Sequence, residues 1–109
     1  MMKTWLLLTA AILLEVAGTT SMKISAGFTR LVPSVLIFVF YAASFTVLTL
    51  ALRKLDISIA YAIWSGLGTV LITVIGIFWF KEPATALKLT CILLIILGVV
   101  GLNLGGAKN

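Results

Sequence analysis

The chain has 109 residues, 62% of them hydrophobic and 10% charged, where soluble domains carry about 25% charge. With a mean hydropathy of +1.28, this composition excludes a soluble globular domain and points to an integral membrane protein. The absence of His and the presence of a single Cys exclude a His proton relay, an internal disulfide and a conventional metal site; no cofactor and no enzymatic activity are expected of this chain. The net charge of +5 belongs to residues flanking apolar stretches, where Lys and Arg meet lipid headgroups; nucleic acid is not an expected partner.

Four apolar windows, about 4–22, 31–52, 57–80 and 87–106, each reach the roughly 20 residues that an α-helix needs to cross the hydrocarbon core. They predict an all-α integral membrane fold of four transmembrane helices in a single domain over 1–109, with short connections and no soluble domain. Lys3 before the first run and Val16-Ala17-Gly18 after it also fit a cleaved signal peptide. Glu15 inside the run and the three spans that follow argue against that.

In the first span Glu15 is the only acidic residue within any of the apolar windows. An ionisable group at that depth is costly and marks a functional site by default. Ala11, Glu15, Gly18, Thr19 and Met22 recur at spacings of three and four and share one face. The small Ala11 and Gly18 leave room for a ligand or allow a close helix contact, and both readings stand.

In the second span Pro33 opens the helix, and Tyr41, Ser44, Phe45 and Leu48 form a stripe offering hydroxyls and an aromatic wall. Packing is the alternative use of such a stripe. Tyr41 lies too deep for an interfacial belt, so its hydroxyl needs a partner inside the protein, and Glu15 is a candidate.

The third span carries Ala60-Tyr61-Ala62-Ile63-Trp64-Ser65-Gly66-Leu67-Gly68, with Tyr61, Trp64 and Gly68 on one face. Trp64 stands about two turns inside the span, deeper than an interfacial Trp belt. Indole over a desolvated cation is worth up to ~2 kcal/mol, and beside a carboxylate it makes a receptor for a lipophilic cation. Gly66 and Gly68 are candidate hinge positions. From Leu89 to Asn103 the fourth span carries no charged residue. Gly98, and Gly101 with Gly105, are small residues that favour close helix contact, so this span is read as a dimerisation helix, with lipid-facing filler as the alternative.

Four spans place Lys3, Arg53, Lys54 and Lys108 on one side and Lys23, Arg30, Lys81 and Lys88 on the other. The positive-inside rule then has nothing to choose between, which predicts insertion in both orientations. Four helices are too few to enclose a solute path, so an oligomer is expected, and dual insertion makes an antiparallel pair available.

The segments Leu14-Glu15-Val16-Ala17-Gly18-Thr19-Thr20, Met22-Lys23, Gly27-Phe28-Thr29-Arg30, Pro33-Ser34 and Ala60 to Gly68 together resemble the small multidrug resistance family, and the resemblance covers the whole chain. It implies an antiparallel dual-topology homodimer in the bacterial inner membrane, multi-pass, exporting hydrophobic cations in exchange for protons. By position, Glu15 matches the family's proton- and substrate-binding carboxylate, and Tyr61 and Trp64 its aromatic site residues. Tyr41 and Ser44 match secondary lining positions, with Ala11, Gly18, Thr19, Phe45 and Ile63 beside them. Leu94, Ile95, Gly98 and Val99 match its dimer motif, and Gly66 with Gly68 its third-helix bend. Trp5 stands where a known member type has Tyr.

The guanidinium-exporting subtype carries Trp one turn after the glutamate, where this chain has Gly18. That departure implies a roomier site and the quaternary-ammonium subtype. The alternatives are a guanidinium, polyamine or osmolyte exporter, or a small helical subunit of a larger membrane complex.

Overall fold

The computed structural model describes residues 2–106; Lys108, counted in the charge balance, lies outside them. The described residues form α1 (Met2–Ile24), α2 (Leu31–Ala51), α3 (Ile57–Phe78) and α4 (Ala86–Gly106), with no strand among them. All four are long and apolar enough to cross a membrane. In lipid an unpaired backbone amide is too costly to leave exposed, so an apolar run of this length closes its hydrogen bonds within itself as a helix.

The chain divides into two compact units, the α1–α2 hairpin over 1–55 and the α3–α4 hairpin over 56–109. In the first, the turn between helices is built on Ser25. This residue is 2% exposed, and its hydroxyl donates to the Met22 carbonyl and accepts from the Phe28 amide. Ala26, Gly27 and Phe28 then run through the left-handed region at φ 50°, 73° and 68°. That sequence of left-handed residues is unfavourable for all but the glycine. Pro33 falls in the first turn of α2, where its missing N–H has no intrahelical partner to lose.

The hairpin is antiparallel, since Tyr41 lies against Gly18 and Ser44 against Ala11. Leu8, Ala11, Ile12 and Val16 of α1 and Ile37, Ser44 and Ala51 of α2 form its core. Ser44 donates to the Ala11 carbonyl at 2.7 Å, a bond between helices of the kind worth about 0.6–2 kcal/mol in a membrane.

In the second unit α3 runs unbroken through Gly66-Leu67-Gly68. The helix ends at Phe78, two residues before the apolar window does. Lys81 adopts φ 60°, and the Glu82 amide returns to the Gly76 carbonyl at 3.0 Å, with the Glu82 carboxylate folded against Gly76. Thr85 precedes α4, and its hydroxyl accepts the Lys88 amide at 3.1 Å as an N-cap. α4 approaches α3 at Gly66, where a Cβ would run into the Val99 side chain and come within 3.3 Å of Ile95. Gly66 is thus a close-approach residue, whatever bending it also allows.

Candidate functional site

Glu15 sits mid-helix on α1, half-buried, and its Oε1 accepts a hydrogen bond from Thr19 Oγ1 at 3.0 Å. This is a departure from the habit of threonines in these helices. Thr9, Thr46, Thr49, Thr69 and Thr73 each donate to the carbonyl four residues back. The Thr19 hydroxyl turns to a carboxylate instead, and Tyr41 Oη stands 2.6 Å from it across the helix pair.

Tyr41 Oη also lies 3.6 Å from Met22 Sδ, an acceptor within its reach, and the Tyr41 ring stacks on Phe45 with centroids 5.8 Å apart. The sequence points to Glu15 as the partner of Tyr41; the structure inserts Thr19 between them. Met22 was legible as a member of the Glu15 face but carried no sign of serving as an acceptor, because a thioether reads as packing.

Two expected lining positions take a different role. Ala11 and Ser44 are both fully buried and spend their polar groups on each other, so they lock α1 to α2 and present no surface to a ligand. The space over Gly18 is also occupied. A Cβ there would lie 2.9 Å from Cδ1 and Cε1 of Tyr41 and 3.3 Å from Cβ of Phe40. Rather than opening room within the chain, Gly18 admits α2, which brings the Tyr41 hydroxyl to Thr19.

Tyr61, Ile63 and Trp64 belong to the second unit. Tyr61 is 67% exposed, Trp64 is half-buried and Ile63 buried. Ile63 and Gly66, with Val70, Ile96 and Val99, line an apolar groove of about 270 Å³ between α3 and α4. Gly68 is buried as well. Of the expected dimer residues, Ile95 and Val99 face Gly66 within the chain. Leu94 is 62% exposed, and nothing stands within 4 Å of a Cβ placed on Gly98.

Among the described residues no cluster of His, Cys, Asp or Glu has the makings of a metal site. The site's chemistry is therefore a carboxylate, two hydroxyls, a thioether and aromatic faces. A carboxylate among such groups has the chemistry to accept a proton or to pair with an organic cation.

The family model described as Small Multidrug Resistance protein matches residues 3–95. An uncharacterized membrane protein, YvaE of Bacillus subtilis, is 56% identical over 100 residues, covering 92% of this chain and 84% of the relative. Multidrug resistance protein EbrA of the same organism is 46% identical over 99 residues, 91% of this chain and 94% of its own length. Quaternary ammonium compound-resistance protein QacE of Escherichia coli is 43% identical over 103 residues, 94% of each chain. The four membrane-length helices, the carboxylate held within the first of them and these matches agree: the chain is a multi-pass membrane protein and belongs to the small multidrug resistance family.

Proposed function

We propose that this chain is a multidrug efflux transporter that exchanges lipophilic and quaternary ammonium cations for protons across a bacterial cell membrane. The observation that carries the reading is Glu15, the one acid inside the membrane spans. It is half-buried and held by a hydroxyl rather than by a cation. Neither α1 between Lys3 and Lys23 nor α2 supplies a basic side chain to neutralise it. A carboxylate so placed takes either a proton or an organic cation, and one excludes the other. The names of the relatives EbrA and QacE, which speak of multidrug and quaternary ammonium resistance, support the substrate class, and the bacterial sources of these relatives support the membrane.

Two copies in opposite orientations make the working unit in this reading. The even charge split supports dual insertion. The apolar, exposed surface of α4 at Leu94 and Gly98 supports pairing through that helix. Reporters fused to the C-terminus should score on both sides of the membrane, and a single fixed side would remove the antiparallel dimer.

The function itself is tested with the purified chain in liposomes. An inside-acid pH gradient should drive uptake of tetraphenylphosphonium, and that uptake should dissipate the gradient. Cation movement indifferent to the gradient would refute proton exchange. A small subunit of a larger complex would show neither flux.

In this reading Trp64 supplies an aromatic face to the bound cation, as the family resemblance implies. Replacing Trp64 with Leu removes a cation–π surface worth up to about 2 kcal/mol, so affinity for aromatic cations should fall by up to about 30-fold. Titrations of tetraphenylphosphonium binding measure this. Proton binding at Glu15 should change less, and unchanged cation affinity would withdraw the role of Trp64.

A further inference from the structure

The contacts around Glu15 contain more hydrogen bonds than the ionised site has hydrogens to make them. Thr19 meets Glu15 at 3.0 Å, Thr19 meets Tyr41 at 2.6 Å and Tyr41 meets Met22 Sδ at 3.6 Å. An ionised carboxylate and a thioether only accept, while each hydroxyl brings one hydrogen. Two hydrogens serve three contacts, so one contact is always empty while Glu15 is charged. A proton on Glu15 supplies the third.

Resting on the reading of Glu15 as the shared proton and cation site, we infer that Thr19, Tyr41 and Met22 form a hydrogen-bond chain whose direction reports which of the two ligands Glu15 holds. With Glu15 ionised, Tyr41 donates to Thr19 and Thr19 donates to Glu15. Both hydrogens point toward the charge, and Met22 Sδ is left without one. With Glu15 protonated, its O–H donates to Thr19, Thr19 donates to Tyr41 and Tyr41 donates to Met22. No proton passes between the oxygens; each hydroxyl only rotates.

A bound organic cation neutralises the carboxylate without bringing an O–H, so the cation-loaded site keeps the ionised direction. The Tyr41 hydroxyl therefore points to Met22 in the proton-loaded site and to Thr19 in the cation-loaded one. Thr19, Tyr41 and Met22 are positioning residues that give each charge state its own set of bonds. The chain lies at the α1–α2 contact. α2 brings no charged group to it, Tyr41 being the only titratable residue there, and α1 has only Lys3 and Lys23 near its ends.

The two ends of the chain should respond with opposite signs. Tetraphenylphosphonium binding to the purified protein, followed against pH, has a midpoint set by competition between proton and cation. Thr19→Val removes a charge-assisted donor from the ionised form and a weaker neutral bond from the protonated form. The midpoint should move to higher pH, by about one unit, and Thr19→Ser should restore it. Met22→Leu removes a bond present only in the protonated form, and the midpoint should move to lower pH by a few tenths of a unit, since thioether acceptors are weak. In a Tyr41→Phe background Met22→Leu should have no further effect, because the connecting hydroxyl is gone. The NMR signal of the Met22 methyl should shift with pH in the wild type and lose that shift in Tyr41→Phe.

These results support the inference. With wild-type proton displacement intact, it is overturned alone if Met22→Leu leaves the midpoint in place, if its shift persists in Tyr41→Phe, or if Thr19→Val moves the midpoint the same way as Met22→Leu. No displacement of protons by tetraphenylphosphonium in the wild type overturns the reading of Glu15 together with the chain built on it.

Discussion

Glu15→Gln should abolish proton-coupled cation transport while leaving the protein folded. Glutamine has the same shape, and its amide oxygen still accepts from Thr19, so the 2.6 Å contact between Thr19 and Tyr41 and the helix pair around it have no reason to change. The ability to ionise is what disappears. Without a negative charge there is nothing to attract an organic cation into a low-dielectric site, and nothing to exchange for a proton. Flux in liposomes should fall to the level of empty vesicles, and addition of tetraphenylphosphonium should release no protons. A normal thermal unfolding profile in detergent would separate this loss from misfolding. Proton-coupled efflux surviving in the variant would refute the mechanism.

The second large effect is expected at Gly18, through packing. A Cβ at this position already stands 2.9 Å from the Tyr41 ring and 3.3 Å from Phe40 Cβ, and Gly18→Val adds two methyl groups beyond it. The ring is hemmed by its stack on Phe45, so relief requires α2 to shift or Tyr41 to swing away. Overpacking of this kind costs about 1–3 kcal/mol. Either movement also breaks the link from Tyr41 to Thr19. Thermal stability in detergent should drop, and affinity for tetraphenylphosphonium should fall by about tenfold or more. In a Tyr41→Leu background the stability cost of Gly18→Val should shrink, because the flat ring it strikes is gone. Wild-type stability and affinity in Gly18→Val would show that the contact between α1 and α2 is looser than the geometry requires.

The four spans were legible because lipid imposes one rule on all of them: about 20 residues, no charge, every amide closed within the helix. The helices follow the apolar windows to within two residues, and the early end of α3 at Phe78 goes with the fold-back of Glu82 onto Gly76. Glu15 was legible for the converse reason, since an acid in such a window is too costly to be incidental. Periodicity also placed Gly18, Thr19 and Met22 on the Glu15 face.

What periodicity withholds is the neighbour that each face meets. Ala11 and Ser44 share stripes with Glu15 and Tyr41, yet they are sealed against each other by a 2.7 Å hydrogen bond. Gly18 has no side chain, which reads equally as open space or as a seat for another helix; the seat is what the structure shows. The hydroxyl of a helical threonine reaches both the carbonyl and the side chain four residues back. Nothing in the sequence says that Thr19 chooses the Glu15 carboxylate where Thr9 and Thr46 choose carbonyls.

The most direct test is to add tetraphenylphosphonium to the purified wild-type chain in weakly buffered detergent solution and count the protons that appear. Competition for Glu15 predicts release at pH values where the carboxylate is protonated, fading as the pH rises and the group is already ionised, with cation affinity climbing over the same interval. Tight cation binding without proton release at any pH, and with an affinity that does not vary with pH, would contradict it.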